Sequence, residues 1–246
     1  MAYKALLLTA VLAGSAWGMT LQVNSGAQLT LGSFSQLNQF LSLTNQLIQH
    51  VNQDPTVEGE VALLEPLRLG TGFSVGELLG RGVALGGRAT VLAWETATQG
   101  IWNWEGEDYP VSLGIRVEVF TLEAQLAMEL VPGILSLALA GGWGWANLFY
   151  QSSFADLPTD WEVPFLPPPG EAVYRASGGV GAVWARVGFP LWEGVSLGLE
   201  VGARLAWFGR PQAGGTPLDL DGDGQGEGLD LTSLWLGANV NLVLEL

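Results

Sequence analysis

The sequence predicts an all-β protein: a closed, antiparallel, up-and-down transmembrane barrel of about eight strands, with one amphipathic helix in its first long connection. Three observations predict it. The first is strand length at period two. Residues 194–208 read GVSLGLEVGARLAWF. Val195, Leu197, Leu199, Val201, Ala203, Leu205 and Trp207 share one apolar face; Ser196, Gly198, Glu200, Gly202, Arg204 and Ala206 share the other. That alternation outruns a soluble strand of about five or six residues and meets the roughly nine to eleven that a tilted transmembrane strand needs. The second is the alternation of long and short connections. The third is composition: 48% hydrophobic, 13% charged, 35 glycines, 11 tryptophans and no cysteine in 246 residues. A lipid-facing wall with aromatic girdles accounts for this; a soluble domain carries about a quarter charged residues.

The formal net charge is −15, and every basic residue after Lys4 is an arginine. This excludes nucleic acid and a polybasic membrane-surface mode, and favours metal cations or basic partners. Without cysteine no disulfide framework exists. Residues 1–18 read as a secretory signal: Lys4, an apolar run over 5–13, then Ala16-Trp17-Gly18 at a cleavage site, with the barrel over 19–246.

In chain order, residues 20–31 form a first strand, although Asn24-Ser25-Gly26 also fits a turn. Residues 33–53 change period: Leu37, Phe40, Leu41, Leu47, Ile48 and Val51, with Thr44, fall on one helical face. Ser33 and Gln36 suit a capping box, and Asp54-Pro55 a stop. The polar face holds Gln, Asn, Ser and His50, with no carboxylate, lysine or arginine. Strands return at 67–76 and 83–98, followed by a long loop over 99–110. Along 111–130 the apolar set moves from odd to even positions at Phe120, which predicts a β-bulge. Residues 134–150 lack charge, yet alternating large and small side chains predict a strand rather than a membrane helix. Long loops follow at 151–172 and 209–228, around strands at 173–189 and 195–208, and a last strand covers 229–246. Short turns near residues 80, 132 and 191 separate the long connections.

On the signal, the strand count, the loop alternation and Trp near strand ends, the chain resembles the small eight-stranded outer-membrane barrels of double-membraned bacteria, the OmpA/OmpX type. The resemblance implies an outer-membrane location, with both mature termini periplasmic. The chain departs from many of that class in ending Leu244-Glu245-Leu246 and in its helix. No functional residue carries over.

Residues 219–230 (DLDGDGQGEGLD) fit a calcium loop, with Asp219, Asp221, Asp223, Gln225, Glu227 and Asp230 as ligands and calcium as the cofactor. The last ligand is Asp rather than Glu, and no helix flanks the loop. Arg68, Arg88, Arg116, Glu118, Glu200 and Arg204 read as a lumen charge network paired across strands, since lone buried charges are costly. Trp143, Trp145, Trp192, Trp207 and Trp235 read as interfacial aromatics, and Trp102, Trp104 and Trp161 as a rival sugar-stacking platform. The lumen face is small, with Gly70, Gly72, Gly198 and Gly202, so the helix is expected to plug or cap the bore, the alternative being a helix lying apolar face down on the outer leaflet. The functional expectation is a non-catalytic structural or surface-interaction barrel. Its partners are outer-membrane lipid and an extracellular protein or surface polymer met by the acidic loops. The alternatives are a pore constricted by the helix, a lipid-modifying enzyme using His50, and a soluble ligand-binding barrel.

Overall fold

Side chains alternate between faces along a strand, so in a closed wall one set lines the bore and the other meets the surroundings. The computed structural model describes residues 20–154, 167, 169–219 and 228–245. Eight long strands form one ring: β1 (Thr20–Ser33), β2 (Leu69–Arg81), β3 (Val83–Trp104), β4 (Glu107–Val131), β5 (Leu135–Ser152), β6 (Gly170–Trp192), β7 (Val195–Phe208) and β8 (Leu229–Glu245). Each pairs antiparallel with its neighbours in sequence, and β1 with β8 closes the ring. No edge is left to template another chain.

Stepping round the register from Gln22 through Leu78, Gly86, Gln125, Ala140, Ala182, Arg204 and Ser233 returns to Gly32, ten residues along β1. That shear tilts eight strands by about 40°. Thr20 lies opposite Glu245, and Leu21 opposite Leu79, so both described ends sit with the tight turns at one end, the lower. Residues 24–26 are continuous strand, because Ala27 and Gln28 keep the pairing on both sides.

Outward positions form an apolar belt. On β4 it runs through Phe120, Leu122, Leu126, Met128 and Leu130; on β8 through Leu234, Leu236, Val240, Leu242 and Leu244. Ten residues separate Phe120 from Leu130. At ~3.3 Å each and the tilt above, they span about 25 Å along the axis, the height of a transmembrane apolar band.

Above the belt the wall turns inside out. On β4 the inward residues become Val111, Leu113, Ile115, Val117 and Val119, all buried, and the outward ones become Gly114, Arg116 and Glu118. The register of β4 with β3 and β5 runs unbroken through Phe120. The predicted bulge is therefore absent. The polarity changes faces there because the outside passes from belt to water while the inside passes from polar lumen to an apolar core.

That core forms around α1 (Ser35–Asn52), which buries Leu37, Phe40, Leu41, Thr44, Leu47, Ile48 and Val51 against Trp94, Trp102, Ile115, Leu148 and their neighbours. Phe40 meets Tyr150 edge-on at 6.3 Å. The predicted capping box does not form; the cap residue is Phe34, with no side-chain cap, and its ring is anchored edge-on to Trp94 at 5.0 Å. At the other end Thr56 donates to Asp54 from hydroxyl and backbone, holding that carboxyl below its ordinary range and closing the turn.

Two predicted loops shrink. Residues 99–110 are mostly strand: Trp104 pairs with Glu107 across a two-residue turn in which Glu105 (φ 54°) and Gly106 (φ 84°) are both left-handed. The pattern was hidden because Trp102 points into the upper core rather than out to lipid. Within 209–228, Gln212–Ala213 pairs with Thr216–Pro217 and adds to β6 at Arg175. The signal segment 1–18, Trp161, and the loop residues Asp221, Asp223, Gln225 and Glu227 lie outside the described residues.

Candidate functional site

The bore has three levels. At the lower end a cavity of about 490 Å³ opens between the tight turns, lined by Gln22, Glu129, Ser136, Arg186, Ser196 and Asn241 among others. Arg186 forms its inner limit.

At mid-height, ion pairs cross the bore. Arg88 on β3 reaches Glu200 on β7, the strand opposite in the ring, at 2.9 Å. Arg186 binds the other oxygen of Glu200 through Nε (2.8 Å) and Nη2 (2.5 Å). Arg204 on β7 approaches Glu123 on β4 at 3.3 Å, and Thr121 donates to the same carboxylate oxygen at 2.7 Å. Arg88 also donates to Ser74 Oγ at 2.9 Å. The guanidiniums lie on aromatic faces: Arg88 is 4.7 Å from Trp184 and Arg204 is 4.9 Å from Trp235. Burying charges costs several kcal/mol per ion unless each finds partners, so this set acts as one unit.

The small lumen positions are filled from across the wall rather than by the helix. A Cβ at Gly32 or Gly70 would strike the Trp94 indole, and one at Gly202 would strike Trp235 and Trp184. The large tryptophans need those glycines, so the mid-bore is packed. The helix belongs to the level above, with the apolar core.

The structure redistributes the predicted site residues. Arg88, Glu200 and Arg204 meet in the bore. Arg68 does not: it is exposed just before β2, where its carbonyl accepts from Gly32 N–H at 2.6 Å. Arg116 and Glu118 pair with each other on the outer wall above the belt, because the unbroken parity of β4 turns them outward. The same parity places Glu123 inside, a residue that the odd polar set beyond Phe120 could have revealed. Arg186 could have been found two residues beyond the inward Trp184.

Trp143, Trp145 and Trp207 are exposed near the upper belt edge, with Phe120 and Trp145 stacked at 5.7 Å, and Trp192 is exposed at the lower turns. Trp235 is not interfacial. It is 2% exposed and packs in the bore, since inward parity on β8 selects it with Ser233 and Gly237. Trp102 is fully buried and donates to Asn52 Oδ1 at 2.8 Å, which removes it from any loop platform.

His50 and Ser42 are exposed on the polar helix face, eight residues and so about 12 Å apart along the axis. Ser153 Oγ accepts from Ser112 N–H at 2.9 Å. Of the calcium-loop residues, Asp219 and Asp230 are described; Asp230 is exposed on β8 opposite Trp207. Among the described residues no group of three or more His, Asp or Glu side chains could hold a metal ion.

No protein-family model matches the chain, and no curated protein matches it. Solved structures resemble it at low identity. Ail, the attachment invasion locus protein of Yersinia pestis, in complex with the heparin analogue sucrose octasulfate, is 8% identical over 92% of this chain and 99% of its own, with a TM-score of 0.44. The outer membrane protease OmpT from Escherichia coli is 7% identical over 93% and 97%, TM-score 0.43. Neisserial surface protein A is 9% identical over 90% and 96%, TM-score 0.41. The likeness is one of fold alone.

Proposed function

We propose that this chain is an integral outer-membrane β-barrel with a sealed bore, serving a structural or surface-interaction role. The carrying observation is the Arg88–Glu200 bridge between opposite walls, with Arg204, Trp184 and Trp235 packed around it and the helix core above. A water-filled pore has no room at that level. The belt of exposed leucines and valines supports the membrane placement. With the tight turns on the periplasmic side, both mature ends are periplasmic and the helix-bearing half stands outside the cell. Its uncharged polar helix face and acidic loops are then the surface offered to an extracellular protein or surface polymer.

The test has two parts. The chain fractionates with detergent-extracted outer membrane, and the purified barrel gives no unitary conductance in planar bilayers. Release without detergent would remove the membrane placement; a steady open pore would remove the sealed-barrel role and favour a channel.

Within this reading the loop 219–230 binds calcium weakly, through Asp219, Asp221, Asp223, Gln225, Glu227 and Asp230. The alternating Asp/Gly sequence supports it by supplying hard oxygens around one centre. The ion would brace a long connection in a chain without disulfides. Calcium titration by calorimetry, with Asp221→Ala as control, tests this; no calcium-dependent heat ends it.

A further inference from the structure

We infer that the lower cavity of the bore binds the C-terminal end of a peptide, its carboxylate held by Arg186 and the terminal residue's N–H by Asn241. At about 490 Å³ the cavity has the size of a site for a small organic ligand. It lies inside the ring and opens between the tight turns. The site rests on the ring alone; the orientation proposed above adds only that its mouth faces the periplasm.

Charge points to an anion. Among the described residues, three buried arginines, Arg88, Arg186 and Arg204, share two buried glutamates, Glu123 and Glu200. Glu123 pairs with Arg204, so Arg88 and Arg186 divide Glu200 between them. One positive charge is left over in the bore, and a buried charge without its own counterion is costly. Of the three arginines, Arg186 is the one that lines this cavity, and it is 8% exposed. Its Nε and Nη2 are taken by Glu200, and no described residue accepts from Nη1. That leaves a charged donor for a carboxylate.

The remaining charges set the valence. Arg81 and Glu245 at the mouth pair with each other at 3.3 Å. Glu129 stands in register with Arg186 through Ser136, two strands or about 10 Å away along the wall. It opposes a second negative charge, so a single carboxylate suits the cavity better than a dianion such as phosphate.

Asn241 supplies an independent feature. It occupies an inward position of β8 opposite Ser196, lines the cavity and is 4% exposed. Its Nδ2 donates to Ser196 Oγ at 3.3 Å, whereas Oδ1 has no hydrogen-bond partner. A buried acceptor left unpaired is unfavourable, and a donor on the ligand relieves it. Leu78, Ala84 and Ala127 line the cavity from β2, β3 and β4, the side away from Arg186 and Asn241. One wall thus offers a cationic donor and a lone acceptor, and the other small apolar side chains. A peptide terminus ending in a small residue presents the matching set: one carboxylate, an N–H on the same residue and a methyl group.

Calorimetric titration of the folded full chain in a non-ionic detergent tests the site separately from membrane placement. The probes are acetyl-Ala-Ala, its C-terminal amide, acetyl-Ala-N-methylalanine and inorganic phosphate. Acetyl-Ala-Ala is expected to bind saturably, with the amide and phosphate each about tenfold weaker or more, and the N-methyl peptide about threefold weaker. Arg186→Lys is expected to weaken acetyl-Ala-Ala about tenfold, and Asn241→Leu about threefold. Ser136→Phe fills the cavity without touching an ion pair, so it should abolish binding while the heat-resistant folded form persists. If Arg186→Lys fails to fold, Ser136→Phe and the peptide series still decide. Absence of saturable acetyl-Ala-Ala binding, or binding unchanged in folded Ser136→Phe, overturns the site. Equal affinity for the amide overturns the carboxylate assignment, and equal affinity for the N-methyl peptide overturns the role of Asn241. Phosphate binding as tightly as the peptide overturns the peptide assignment in favour of a general anion site.

Discussion

Asn45 and Leu64 exchange two hydrogen bonds: Asn45 Nδ2 donates to Leu64 O at 2.8 Å, and Leu64 N–H donates to Asn45 Oδ1 at 2.7 Å. Asn52 and Val61 repeat the exchange at 2.8 and 3.1 Å, and Asn38 Oδ1 accepts from Leu67 N–H at 2.8 Å. The asparagines stand seven residues apart, two helical turns or about 10.5 Å. Val61, Leu64 and Leu67 stand three apart, about 9.3 Å at the rise of a polyproline II turn. The matched spacings let one helix face pin an extended segment whose buried side chains complete the upper core.

Asn45→Ala removes both bonds and leaves a backbone N–H and C=O of Leu64 unpaired beside the core. Each such group costs about 1–3 kcal/mol. Limited proteolysis of the detergent-held barrel should then cut within residues 57–68 several times faster than in the parent. The heat-resistant migration of the barrel should persist, because the ring of eight strands does not use this contact. Equal cleavage rates would mean that the leucines alone hold the segment.

The belt makes a second prediction. Leu126 faces outward near the belt's middle, whereas Gln99 faces outward above it. Leu126→Arg should destabilise folding into lipid vesicles by about 2–4 kcal/mol, and Gln99→Arg by about 0–1. Equal effects would move the belt away from the Phe120–Leu130 span.

Period two made the ring legible from residues, as in Val195 to Trp207, and helical spacing made α1 legible through Leu37, Phe40, Leu41 and Val51. Parity failed where the surroundings changed. At Phe120 the apolar set crosses the sheet because water replaces lipid outside and a helix core replaces polar lumen inside. Hydrophobicity alone cannot separate that exchange from a bulge. Reading the exchange as a bulge turned Arg116 and Glu118 inward, whereas Glu123 faces the bore under either reading. Trp235 was misplaced for a different reason: a tryptophan in a barrel wall reads as a girdle residue, whereas its alternation with Leu234 and Leu236 and its place opposite Gly202 identify it as bore packing. The asparagine heptad 38, 45, 52 was visible, but its partner segment has no helical or strand period to announce it.

Glycine positions can be told apart by what stands opposite. A Cβ at Gly70 would enter the Trp94 ring, while one at Gly114 meets nothing within 4 Å. Gly70→Ala should lower stability by about 1–3 kcal/mol through overpacking, and Gly114→Ala should leave it unchanged. Thermal midpoints from heat-modifiable gel migration compare the two. A Gly70→Ala midpoint equal to the parent's would mean that Trp94 can swing away, and that the bore is looser than its packing indicates.

Glu200 is the hinge of the mid-bore charges, since it alone holds both Arg88 and Arg186. Glu200→Ala leaves Arg88 without that carboxylate in the packed mid-bore, and Arg186 without it at the head of the lower cavity. Removing one partner from a buried pair costs about 3–5 kcal/mol. The thermal midpoint should fall well below that of Glu200→Gln, which keeps an acceptor for one arginine and the volume of the side chain. Conductance should stay absent in both variants, because α1 and the Val111–Val119 face close the bore above the ion pairs. If Glu200→Ala instead opens steady channels, the ion bridge is the seal and the helix core is not. If its midpoint equals the parent's, water already serves the arginines, and the bridge across the bore contributes nothing to stability.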